Sequence, residues 1–282
     1  MKKLILCVCV YLVTAVASKP VKADETLSAF TVTESKVDNY ISKLYKQIDF
    51  SNCKQLSYEV FNKAMHGYLN IRSAGKLNVD NEMLTVCDFT LSSTENRMWV
   101  IDLCAKKVVY NTYVAHGHGS GEEFATAFSN DNNSHQSSLG FYVTSDTYMG
   151  EHGLSLRLQG IDNGFNDAAY DRGIVVHGAP YVCEKFARNN NYIGRSWGCP
   201  AVPAKLSTPI INKIKDGTCL FIYYPNKAYM KTAYWLNKKT NHLPDDNMLP
   251  DFTIPLPTDT IVQFVSVKGN VDSVRKLHAL FQ

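Results

Sequence analysis

A chain of 282 residues with 45% apolar content carries enough material for one large packed domain and an annex. Its 29 lysines and arginines barely exceed its 26 aspartates and glutamates, a formal charge of +3, and no block of like charge interrupts it. That balance lacks the basic footprint of a nucleic-acid binder, so no nucleic-acid partner is expected.

Lys2 and Lys3 precede an apolar run from Leu4 to Val16, and Ala15-Val16-Ala17 is a small-residue cleavage pattern. Residues 1–17 therefore read as a signal peptide. The run falls short of the about 20 apolar residues of a membrane span, with a retained anchor as the alternative. The mature protein is expected to be exported, either periplasmic and envelope-associated or secreted. Six cysteines follow the leader: Cys53, Cys87, Cys104, Cys183, Cys199 and Cys219. In an oxidising compartment an even count suggests bridges, Cys87 to Cys104 first among them. The competing reading is burial as small apolar side chains.

Residues 18–35 are polar and read as a flexible lead. Ile41, Leu44, Tyr45 and Ile48 recur at helical spacing, and so do Val60, Phe61, Ala64, Met65, Tyr68 and Leu69. These two helices form an annex that, with the lead, fills 18–82. From Leu84 the period changes to that of strands, expected at Leu84–Thr90, Met98–Leu103, Lys107–Ala115, Gly140–Thr144, Leu154–Leu158, Gly173–His177 and Thr218–Tyr224. Long polar loops, His116–Ser138 and Gly160–Arg172, separate them and point to function or mobility. Helices are expected at Tyr181–Asn189 and Ala204–Ile214. The result is a mainly β domain with added helices, α+β, over 83–227. A C-terminal extension occupies 228–282, with an amphipathic segment Tyr229–Lys239, a Pro- and Asp-rich arm Asn241–Pro257 and a helix Val271–Phe281.

The chemistry concentrates in Gly194-Arg195-Ser196-Trp197-Gly198-Cys199-Pro200-Ala201. A cysteine between glycine and proline cannot sit inside a regular helix and is presented on a stiff turn. Near its reference pKa a thiol is only a few per cent thiolate at neutral pH, so a nucleophilic Cys199 needs a helper. His177 ends the apolar strand Ile174-Val175-Val176, is followed by Gly178, and can act as base and then acid. Pro200 has no N–H, which leaves the Cys199 and Gly198 backbone N–H groups as oxyanion donors, with a tyrosine hydroxyl such as that of Tyr148 as supplement. Ser196 is better placed to pin the turn than to react.

The His177-Gly178 and Ser196-Trp197-Gly198-Cys199 boxes resemble the signature of L,D-transpeptidases of the YkuD-like kind. Arg172–Ala179 and Gly194–Ala201 resemble in particular the murein L,D-transpeptidase catalytic-domain family, as do Val114-Ala115-His116-Gly117, Phe128-Ser129-Asn130, Ser138–Val143 and His152–Leu158. The resemblance covers roughly 56–227. It implies a β-sandwich-like catalytic domain, no cofactor and a two-step acyl transfer on peptidoglycan stem peptides. Cys199 would be the nucleophile and His177 the base and acid, with the Gly178 carbonyl orienting its ring. An amine acceptor gives a 3→3 cross-link. Water gives L,D-carboxypeptidase or amidase activity, and a non-catalytic wall-binding protein is the third possibility. The position two residues after the cysteine, arginine in many relatives, is Ala201 here; Arg195 is the candidate to replace that charge.

Substrate contacts are expected among Arg195, Trp197, Tyr148, Arg157, Arg172, His116 and His152. For Arg157 and Arg172 the competing reading is a structural ion pair. His116-Gly117-His118, with both rings on one strand face and His152 and His177 nearby, also admits a three-histidine zinc site. No carboxylate partner supports it, and no metal is expected.

Overall fold

The structure, a computed structural model, describes residues 24–240 and 243–244, and side chains from residue 36 onward. The expected signal peptide, the arm beyond Pro244 and the helix Val271–Phe281 lie outside the described residues.

Two helices open the chain, α1 (Asp24–Gln47) and α2 (Tyr58–Ser73). Ser57 caps α2 by accepting the Val60 N–H at 3.3 Å, as serine does at this position. Val60, Phe61, Ala64, Met65, Tyr68 and Leu69 bury the face that their spacing announced. α1 begins at Asp24, well inside the expected flexible lead. Among the α1 residues whose side chains are described, Val37, Ile41 and Leu44 are buried, at the spacing that periodicity registers.

Eight strands follow: β1 (Met83–Asp88), β2 (Met98–Asp102), β3 (Lys107–Thr112), β4 (Gly140–Gly150), β5 (Gly153–Gly160), β6 (Val175–Ala179), β7 (Ala201–Pro203) and β8 (Cys219–Tyr223). They hydrogen-bond in the order β3-β2-β1-β8-β4-β5-β6-β7, and the whole is α+β. β1 and β8 sit side by side and parallel in the middle, with all their residues buried. Such strands read as unbroken apolar runs because both faces are covered. Helix α3 (Glu184–Asn190) lies between β6 and β7, and α4 (Ala204–Ile214) follows β7 directly, burying Ser207, Ile210, Ile211 and Ile214.

Further elements differ from expectation. β6 begins at Val175 and runs past His177 to Ala179, because Gly178 and Ala179 pair with β7, so the histidine sits inside the strand and not at its end. β4 runs to Gly150, because pairing with β5 continues past a bulge between Thr144 and Thr147 where the sequence turns polar. α3 starts late: the Tyr181 carbonyl accepts the Gly194 N–H at 3.0 Å, which holds Tyr181 in the preceding turn. The segment expected as one helix over Tyr229–Lys239 is two short ones, α5 (Lys227–Thr232) and α6 (Tyr234–Asn237), because Ala233 is extended at ψ 121°. α6 is tied back to α2 through Asn70, whose side-chain amide donates to the Trp235 and Lys238 carbonyls.

No bridge joins Cys87 to Cys104; all six described cysteines are free thiols. The register explains this. Cys87 faces Met98 at one end of the β1–β2 ladder, whereas Cys104 lies beyond Asp102, which pairs with Met83 at the other end.

Candidate active site

β7 is too short to announce itself, yet it decides the site. It runs parallel to β6 with His177 opposite Ala201 and Gly178 opposite Val202. Cys199, two residues ahead of Ala201, is thereby held beside the stretch of β6 that leads to His177. On its other side the cysteine turn rests on residues 115–118. The Ala115 N–H donates to the Ala201 carbonyl at 2.8 Å, Ser196 N–H to His116 O at 3.0 Å, and His118 N–H to Ser196 O at 2.8 Å.

The turn is locked from within. Ser196 Oγ donates to the Cys199 carbonyl at 2.7 Å and accepts the Gly198 N–H at 3.1 Å. This is the pinning role expected of Ser196. It also corrects the expectation for Gly198: its N–H is spent on Ser196, so the Cys199 N–H is the donor the turn leaves for an oxyanion. Gly198 has φ +125°, and a Cβ there would lie 2.8 Å from the Gln136 carbonyl oxygen, so both backbone and space require glycine. Ser137 clamps the turn from outside, donating to the Gly198 carbonyl at 3.0 Å and accepting the Gly117 N–H at 3.0 Å.

His177 is buried, and its Nδ1 lies 3.1 Å from the Gly178 carbonyl. A carbonyl only accepts, so Nδ1 carries the proton and Nε2 is the free acceptor of the neutral ring. Gly178 packs against α4 so closely that a Cβ would meet Ser207 Oγ at 2.6 Å. Burial lowers the His177 pKa from its ordinary value, and the His152 ring beside it adds to this while the Gly178 bond opposes it. Cys199 is half-buried with Sγ 3.8 Å from the Gly173 carbonyl. Burial pushes its thiol up; the Val175 N–H and the Arg172 charge pull it down.

The remaining expected residues sort by place. Arg172 is not available to a substrate carboxylate. Nη1 donates to Ser129 O and Ser138 Oγ, and Nη2 to Ser134 Oγ and Gln136 O, so it knots the long 116–139 loop against the cysteine turn. His116 is also corrected as a substrate contact: it is fully buried beneath the turn, with Nδ1 2.7 Å from Arg97 Nη2. Burial and the Arg97 charge push its pKa down to about 3. The same placement removes the shared face assumed for His116 and His118, since His118 instead stacks near His135, ring centroids 5.2 Å apart. Among the described residues no group of three or more His, Cys, Asp or Glu is arranged to hold a metal.

At the rim, Trp197 is 75% exposed and stacks on His135 at 4.9 Å. Arg195 donates to the Gly121 carbonyl at 2.9 Å and lies 5.1 Å over the Tyr192 ring. Arg157 pairs with Asp146 at 3.4 Å and covers the Tyr148 ring at 4.4 Å, so Tyr148 faces a cation within its own hairpin. His152, at the tip of that hairpin, stacks on His177. Ser137, Gly117 and Tyr181 were not among the expected site residues. Tyr181 is the tyrosine whose hydroxyl feels the Cys199 charge; burial first and that charge second push it up to about 12.

A turn that presents a cysteine and a buried imidazole thus lie on neighbouring parallel strands of an α+β sheet. The chain belongs to the L,D-transpeptidase catalytic-domain family, whose model matches residues 52–223. Among solved structures it is similar to an L,D-transpeptidase from Mycobacterium smegmatis, at 12% identity over 51% of this chain and 59% of that one, with a TM-score of 0.32. L,D-transpeptidase 3 from Mycobacterium tuberculosis matches at 10% identity over 50% and 61% of the two chains, TM-score 0.32. An L,D-transpeptidase (Yku) from Stackebrandtia nassauensis matches at 12% over 65% and 76%, TM-score 0.31. The chain thus spans less than two thirds of the two mycobacterial structures. No curated protein matches it. Among the described residues no helix is long and apolar enough to cross a membrane.

Proposed function

We propose that the protein is an exported cysteine acyltransferase that forms 3→3 cross-links between peptidoglycan stem peptides through a Cys199 acyl-enzyme. The observation that carries this reading is the His177 Nδ1 contact with Gly178, combined with the β6–β7 register that holds Cys199 beside the same strand. It leaves Nε2 unprotonated for the thiol proton.

In the first step Nε2 takes the Cys199 proton as sulfur attacks the carbonyl of the third stem residue. The tetrahedral oxyanion is received by the Cys199 N–H. His177 then returns the proton to the nitrogen of the terminal D-alanine, which leaves, and a thioester remains. In the second step an amine of another stem attacks the thioester, His177 accepts its proton, and the thiolate departs and is reprotonated. Trp197 and Arg195 border the cysteine turn and are the proposed stem contacts. The proposed envelope location rests on the leader pattern at residues 1–17 and on a wall substrate.

Incubation with muropeptides followed by mass spectrometry is expected to give a dimer with loss of D-alanine, and a Cys199 adduct on exposure to a carbapenem. Loss of D-alanine without a dimer, even with added acceptor peptide, would show a carboxypeptidase instead. Binding without turnover and without an adduct would sink the catalytic reading.

A further inference from the structure

The β4–β5 hairpin closes with Gly150 opposite Gly153, so that Glu151 and His152 alone form its turn. Gly153 at φ +77° supplies the left-handed residue that so tight a turn needs. The turn carries the exposed His152 ring onto the buried ring of His177, with centroids 4.4 Å apart and planes within 21°. The contact is specific in its geometry. His177 is held at one edge by the Gly178 carbonyl, which still allows the ring to rock about that bond, and the face-on His152 ring blocks this motion.

We infer that His152 is a positioning residue for His177: its stacked ring fixes the plane of the imidazole. Two positive charges at this separation repel, so the doubly protonated state is disfavoured. His177, the buried ring, bears the desolvation, so His152 keeps it neutral to lower pH than it would stay alone. The Gly178 bond opposes this lowering, and few charged groups face the pair. From β5 the one ionisable side chain is Arg157, already paired with Asp146. β7 contributes none, and the buried face of α4 presents Ser207, Ile210, Ile211 and Ile214. The cysteine turn brings Cys199 with Arg172 behind it, and the hairpin tip brings Glu151 next to His152.

The inference rests on the catalytic reading of His177, but its test does not require turnover. In the full chain labelled with 13C-histidine, the His177 Cε1–H signal is followed against pH in wild type, His152→Phe and His152→Ala. Both variants are expected to shift the His177 titration upward by roughly half a pH unit, since both remove the charge. With muropeptides, His152→Ala is expected to lose about tenfold in kcat, the scale on which a misplaced catalytic group is felt. His152→Phe, which keeps a ring on His177, recovers most of that loss while its acid limb stays shifted. An unmoved His177 titration in the two variants, or an alanine variant with wild-type kcat, overturns the inference. A missing Cys199 carbapenem adduct in wild type, with the titration shift intact, would instead indict the proposed function.

Discussion

The two sides of the site are built differently. The cysteine turn is held by Ser196, Ser137, the 115–118 backbone and the Arg172 knot, so that its polar backbone groups have partners on three sides. The hairpin tip opposite, from Tyr148 to His152, carries Met149 at 75% exposure and touches the site through the His152 ring. A nucleophile must stay within fractions of an ångström of its attack line, whereas a rim must admit and release a large substrate. Changes on the turn should therefore alter turnover and stability together. Changes at the rim should leave stability nearly untouched and alter substrate affinity or, at His152, the rate and its pH response.

The largest effect is expected from Cys199→Ala, which removes the sulfur proposed to form the thioester. Turnover should fall by at least ~10³, and no carbapenem adduct should appear by intact mass. His177→Ala should approach the same loss. Retained turnover in Cys199→Ala would break the comparison at its root, because the rigid side would then hold no nucleophile.

Next come the supports of the turn. Ser137→Ala leaves the Gly117 N–H and the Gly198 carbonyl without their partner, at a cost of about 1–3 kcal/mol in chemical denaturation. Gly198→Ala forces a side chain into φ +125° against Gln136 and should cost about 1–3 kcal/mol, with a parallel loss of kcat. If either variant lost rate at unchanged stability, the turn would be less rigidly specified than its bonds imply.

The scaffold beneath also predicts a pH response. His116 has its pKa lowered to about 3 in the fold, against about 6.5 in the unfolded chain. The stability this represents is complete above the unfolded value and is lost as pH falls from there toward 3, because only the unfolded chain takes up the proton. Between pH 6.5 and 5 the loss should be ~2 kcal/mol in denaturant titrations. His116→Gln, which can still accept from Arg97, should flatten that stretch of the curve. The smallest effect belongs to the rim. Trp197→Ala should leave stability within about 0.5 kcal/mol and raise KM for muropeptides, through loss of the exposed ring face.

Much of this was legible in the chain. The apolar runs of β1, β2 and β8, the face of α2 and the span of α4 follow from periodicity, because each buries a face that the pattern must supply. The Gly-Cys-Pro turn and the His177-Gly178 pair were legible for the same reason, since their chemistry depends on residue types next to one another. β7 was not: three residues carry no period. Nor was the part played by Ser137, whose serine-rich surroundings resemble any polar loop. Arg172 and His116 read as candidate substrate contacts, with an ion pair the alternative for the first and a zinc site for the second. Their partners, Gln136 and Ser129 for one and Arg97 for the other, stand far enough away in the chain that no local pattern links them.

By itself, then, the sequence determined which thiol is presented on a stiff turn and which imidazole is carried by a buried strand, because φ restrictions at glycine and proline and the apolar run of a strand act locally. Only the tertiary structure decided that β7 pairs with β6, that His116 goes beneath the site and that His152 reaches over it. Those placements depend on hydrogen bonds and burial between segments distant along the chain, whose free energy exists only once the sheet has closed.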